Sequence, residues 1–160
     1  MRALVKELAS QGHHITPAAS YRDFGDYPVS AAYDLLLECK QRMYPQERRS
    51  EALRRLGWII YPTLLSTMVG RVIFGSLGDD VPAVLRAAGR GFEVSISQVR
   101  YEPVEFGQRC ATVRVYGFPL FPDCFLTGVF EGGLAHYGYD EGKVVARMLS
   151  PTDVELQLSW

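Results

Sequence analysis

Val154-Glu155-Leu156-Gln157-Leu158-Ser159-Trp160 closes the chain with an apolar residue at every second position. Successive strand side chains point to opposite faces, so this alternation predicts a half-buried strand. Working backward, Ser150-Pro151-Thr152-Asp153 reads as a turn and Lys143 to Leu149 as the preceding strand. Asp140-Glu141-Gly142 separates that strand from a helix read over 123–137, with Phe125, Val129, Phe130, Leu134 and Tyr137 on its apolar face. Ala111, Val113 and Val115 alternate with Thr112, Arg114 and Tyr116, which gives another strand. Phe92, Val94 and Ile96 alternate with Glu93, Ser95 and Ser97 and predict the first strand. Val99 and Tyr101 fall in the opposite phase, so a bulge is expected there, with Glu102-Pro103 to Phe106-Gly107 as the hairpin connection. The order is ββαββ.

Upstream of this segment the period changes. Leu4, Val5 and Leu8 predict a helix over 2–11, with Gly12 as its stop. A loop follows through Tyr27, and a second helix covers Ser30 to Cys39, with Pro28 near its first turn and Tyr44-Pro45 ending it. Ala52, Leu53, Leu56, Ile59 and Ile60 predict a longer helix from near Gln46. Pro62 must kink or split it before Leu64, Leu65, Met68, Val69 and Val72. Asp80 caps a short helix that Gly89-Arg90-Gly91 closes. Helices followed by strands define an α+β fold, with N-terminal helices (about 1–90) packed on a C-terminal antiparallel sheet of ββαββ order (about 91–160). A length of 160 residues suits one domain, 1–160.

A net charge of -1 gives no electrostatic footprint for nucleic acid. Arg48, Arg49, Arg54 and Arg55 are interleaved with Glu47 and Glu51, as on a solvated helix face. Cys39, Cys110 and Cys124 are too widely spaced for a zinc knuckle or disulfide framework, and free, mostly buried thiols are expected. His13-His14 lack partners at metal-ligand spacing, so no metal is expected. The charge-free run from Leu56 to Gly70 is shorter than the roughly 20 apolar residues a membrane span needs. The charged start, Met1-Arg2-Ala3-Leu4-Val5-Lys6-Glu7-Leu8, does not read as a secretory signal, which leaves a cytoplasmic location as the expectation.

Four motifs carry a family resemblance: FGDYP at 24–28, YP at 44–45 ahead of EALRRLGW at 51–58, GFPLFPDCFLTGVFEGGLAHYG at 117–138, and the terminal strand ending in Trp160. Together they resemble the Myxococcus–Stigmatella paralogous family of unknown function, a myxobacterial group, over most of the chain. The strand and FEGL-like segment that usually open the family are not found here. At the level of fold, the element order also resembles heme-nitric-oxide sensors, 4-vinyl-reductase-like domains and TRAPP subunits. That likeness implies hydrophobic ligands or a homodimer. It does not extend to the sensors' heme motif, because Tyr101 opens YEPVE and lacks the Ser-x-Arg of Tyr-x-Ser-x-Arg. The cofactor is therefore left unknown.

Candidate ligand-binding residues follow from the kinked apolar helix. Trp58, Tyr61, Met68 and Phe74 are expected to line a pocket there, with Arg71 to meet a carboxylate. The competing reading is an ordinary core helix. Gly128 and Gly132, four apart on one helix face, serve either a ligand groove or dimer seam, or close packing of the helix on the sheet. His136 is a ligand contact or general base on one reading and a helix C-terminal histidine on the other. No G-x-S-x-G, P-loop, HExxH or G-x-G-x-x-G occurs, so an enzyme would rest on His136, Tyr137 and Glu131 alone. The functional expectation is a non-enzymatic binding or sensory module for a small hydrophobic or acidic molecule. The alternative is a solid-cored interaction module with an apolar surface on Tyr21, Phe24, Tyr27 or the Phe118–Phe121 loop.

Overall fold

Val113, Val115, Val154 and Leu156 are wholly excluded from solvent, and the sheet they belong to organises the molecule. A computed structural model of the chain describes residues 27–160. The helix expected at 2–11, His13-His14, Tyr21 and Phe24 lie outside those residues. The described elements are α1 (Val29–Met43), α2 (Arg49–Ser66), α3 (Met68–Phe74), α4 (Val81–Ser95), β1 (Arg100–Phe106), β2 (Cys110–Tyr116), α5 (Phe125–His136), β3 (Lys143–Met148) and β4 (Val154–Ser159). Helices precede an antiparallel four-stranded sheet of order β1-β2-β4-β3, an α+β fold.

Register sorts the two faces of the sheet. Ala111, Val113 and Val115 lie opposite Leu158, Leu156 and Val154, and all six face the core. One residue out of phase, Arg114, Glu155 and Arg147 are aligned across three strands on the outer face. Arg114 Nε donates to one Glu155 carboxylate oxygen at 2.9 Å and Arg147 Nη2 to the other at 2.7 Å. Alternation alone would put Glu155 in solvent, yet it is only 5% exposed, because two arginine side chains cover it. Bonds from Arg147 and then Arg114 hold its carboxyl below the usual range.

The first strand is not the expected one. Residues 92–95 continue α4, and the first strand is β1. Val81, Val84, Leu85 and Phe92 share a helical face, so the short alternation at 92–96 is the end of an amphipathic helix. Gly89 and Gly91 do not close α4. They let it lie against the rings of Tyr101 and Phe74, to which added Cβ atoms would come within 3.4 Å and 3.5 Å. The Tyr101 hydroxyl donates to the Leu85 carbonyl at 2.7 Å and ties α4 to β1. Pro103 is tolerated because β1 is an edge strand, and the register shifts between Pro103 and Glu105.

Pro62 does not split α2. The helix runs through it, and the break comes at Thr67. Proline removes the donor that would reach the Trp58 carbonyl, but one missing bond is survivable on an exposed face. Thr67 ends one helix and starts the next. Its hydroxyl donates to the Leu64 carbonyl at 2.6 Å and accepts from the Gly70 N–H at 3.0 Å. The resulting bend is 85°. It needs Gly70, because any Cβ there would overlap the Leu64 carbonyl oxygen. Among the described residues no single helix is long and apolar enough to cross a membrane. The bent pair α2 and α3 meets that test only when joined.

Candidate functional site

The elbow between α2 and α3 cannot be filled by either helix, and space is left beneath it. A cavity of about 1160 Å³ lies there, bounded by α1, α2, α4 and α5. Its deep wall is apolar and buried, with Leu36, Phe74, Val84, Leu85 and Leu134 among the lining residues. Its exposed rim includes Tyr27, Pro28, Glu93, Ser95, Ser97 and Gln98. The half-buried Thr63 and Thr67 in its lining spend their hydroxyl protons on the Ile59 and Leu64 carbonyls, which leaves one polar pair with a proton to offer. The hydroxyls of Tyr61 and Tyr137 are hydrogen-bonded at 2.8 Å, and both residues line the cavity. Burial first, then the bond to Tyr137, pushes the Tyr61 hydroxyl well above the normal phenol range, so it stays protonated.

Of the residues expected from sequence, Tyr61 and Phe74 are brought together in this wall, with ring centroids 5.8 Å apart. Met68 and Arg71 are exposed on α3 and do not line the cavity, because the turn at Thr67 rotates that face outward. Trp58 is 46% exposed and borders a separate surface groove with Glu47, Glu51, Arg54, Arg55 and Glu131. His136 is exposed at the end of α5, with its ring 5.9 Å from Tyr61 and 5.1 Å from Tyr137.

Gly128 and Gly132 face α2, not the sheet or the cavity. Added Cβ atoms would overlap the carbonyl oxygens of Arg54 and Trp58, and one on Gly57 would overlap the Phe125 carbonyl oxygen. The three glycines let two helix backbones touch, a geometry in which Cα–H groups meet carbonyl oxygens. The Trp58 carbonyl, freed by Pro62, is one of those oxygens. Arg54 closes the same seam through a bidentate pair with Glu131, Nε to Oε2 at 2.7 Å. The α5 glycine that does line the cavity is Gly133, whose Cβ would rest on the Tyr61 ring at 3.5 Å.

Arg49, Arg54 and Arg55 of the arginine run are engaged with neighbouring side chains. Arg49 donates to the Tyr33 hydroxyl at 3.0 Å and covers the Phe121 ring, and Arg55 reaches Glu47 at 3.4 Å. The Phe118–Phe121 loop is not an apolar surface: Phe118 and Leu120 are buried, and Phe121 packs on Tyr33 at 4.8 Å. Cys39 and Cys124 are buried and Cys110 is exposed.

The sequence hid the walls that α1 and α4 contribute. Ala32, Val84 and Ala88 read only as helix faces, and nothing local says they enclose space. Tyr137 was the available signal, an aromatic with a polar tip at the end of an apolar helix.

In fold the chain is similar to H-NOX proteins of known structure. A domain from Shewanella oneidensis in the Fe(II)CO ligation state shares 13% identity at a TM-score of 0.62, covering 98% of this chain and 87% of that one. An H-NOX from Shewanella woodyi, also in the Fe(II)CO state, shares 14% at 0.61, covering 98% and 83%. A third structure, solved in work on heme redox potential and porphyrin distortion, shares 10% at 0.63, covering 99% and 89%. At such identities the likeness is one of fold. The chain belongs to the family described as "Protein of unknown function (DUF2378)", which matches residues 1–160. No curated protein matches it.

The fold likeness raises heme as a cofactor, and the donor set tests it. Among the described residues the cavity wall has no histidine, cysteine or methionine. The buried Tyr61 and half-buried Tyr137 phenols bond each other, and Tyr61 is held neutral, which makes it a poor axial ligand. The described residues do not fit an axially ligated heme.

Proposed function

We propose that the chain is a small-molecule-binding module, of the sensory kind, that holds an apolar ligand beneath the α2–α3 elbow. One observation carries this reading: a cavity of about 1160 Å³ with a buried apolar wall and an exposed polar rim. Ligand sites are concave, mostly apolar and supplied with a few placed polar groups, as here. That space favours binding over the alternative of a solid-cored interaction module. The same reading keeps three expectations from sequence: a myxobacterial source, a cytoplasmic location and a homodimer.

Diphenylhexatriene, a hydrocarbon whose fluorescence rises in apolar surroundings, tests the cavity. The full chain should bind it saturably at one site, and Ala88→Trp, which fills the wall from α4, should abolish binding while the fold is retained by circular dichroism. Absence of binding by the unaltered chain refutes the proposal.

A further inference from the structure

The polar content of the cavity narrows what it would accept. The argument rests on the binding reading above. A hydroxyl has one proton, so in the Tyr61–Tyr137 pair one phenol donates to the other and a single O–H remains undirected. Neither hydroxyl has another partner among the described residues. A buried phenol, Tyr61, and a half-buried one, Tyr137, thus present one neutral donor to the cavity, with no cation among the described lining residues. Glu93 is the only charged side chain among the described lining residues, and it is exposed at the rim. A carboxylate ligand would lose its hydration without gaining a positive partner, and would pass a negative charge on entry. A pure hydrocarbon packed against the pair would leave the spare O–H without a partner. Arg71, the one cation expected here from sequence, is exposed on α3 outside the cavity.

We infer that the cavity selects an uncharged, lipid-like molecule whose carbonyl oxygen accepts a hydrogen bond from the Tyr61–Tyr137 hydroxyl pair. The ligand's hydrocarbon portion lies along Phe74, Val84, Leu85 and Leu134, and its carbonyl end faces α5.

Displacement of diphenylhexatriene from the full chain separates the possibilities. The competitors are methyl palmitate, the hydrocarbon of equal length, and palmitate. Methyl palmitate should compete about fivefold better than the hydrocarbon, the worth of one net hydrogen bond, with palmitate weakest. In Tyr61→Phe/Tyr137→Phe the ester and hydrocarbon should become equal competitors, each judged against that variant's own affinity for diphenylhexatriene. Removing both hydroxyls leaves no orphaned partner, and the ranking in the unaltered chain decides the matter if that variant fails to fold. Palmitate as the best competitor, or an ester no better than the hydrocarbon, overturns the inference and leaves the cavity reading standing. Persistence of the ester preference in the double variant also overturns it. Failure of diphenylhexatriene to bind the unaltered chain removes the cavity reading itself.

Discussion

Two neighbouring glycines on one helix should respond to the same substitution with opposite signs. In an unconstrained helix interior, glycine to alanine stabilises by about 1 kcal/mol. At Gly133 nothing opposes that gain, since the new methyl would sit 3.5 Å from the Tyr61 ring, an ordinary contact beside open space. Gly133→Ala should therefore stabilise by up to about 1 kcal/mol. At Gly132 the methyl would overlap the Trp58 carbonyl oxygen and lie 2.8 Å from its carbon. Reaching an ordinary 3.4 Å from that carbon needs about 0.6 Å of movement between α2 and α5, and more for the oxygen. Both helices are backed by residues with no space to yield, Leu53 and Leu56 on one side and Leu126 on the other. Overpacking a tight interior costs about 1–3 kcal/mol, and backbone has no rotamer with which to escape, so the upper end applies. After the propensity gain, Gly132→Ala should lose about 2 kcal/mol, a fall in Tm of roughly 4–8 °C for a chain of this size. Urea and thermal unfolding of both variants provide the assay. If the two substitutions shift stability in the same direction, the close backbone crossing is not what the glycine at 132 is for.

Other expectations are simpler to test. Thr67→Ala removes the shared cap and should cost about 1 kcal/mol, with hydrogen exchange of the Gly70 amide accelerated more than that of the rest of α3. The Gly117 N–H, then the Ser150 hydroxyl, hold the Asp153 carboxyl below its ordinary range. A depressed carboxylate contributes stability above its unfolded pKa and loses it as pH falls through the folded value, so Asp153→Asn should flatten the acid limb of a stability profile below about pH 4. Burial pushes the Cys39 thiol up to about 11 and the Cys124 thiol up to about 12. At pH 8 only the exposed Cys110 should react quickly with a disulfide reagent; three fast thiols would contradict the packing of α1 and the α5 entry.

The sheet was legible because its signal is local. Val154, Leu156 and Leu158 repeat at the period of a strand, and each is buried where the alternation puts it. The boundary between α4 and β1 was not, since three alternating apolar residues at 92–96 satisfy either period. Only the Val81–Leu85 turn behind them decides for the helix. Pro62 was read through its backbone alone. Its effect depended on whether the freed carbonyl had somewhere to go, and that place, Gly132, is 70 residues further along the chain. The cavity was half legible in the same way. Tyr61 and Phe74 follow from the broken apolar helix, but its remaining walls come from α1, α4 and α5, whose faces meet only in three dimensions.

The two rims of the sheet differ in a way that bears on self-assembly. β1 carries Pro103 and a register shift, features that spoil a strand as a template for another. β3, among the described residues, has β4 on one side and no strand on the other, and its Val145 is 60% exposed. Endless strand-on-strand growth needs two receptive rims on each molecule. With one, pairing can only join like to like about a two-fold axis and then stop, so this architecture admits a closed pair and withholds a fibre.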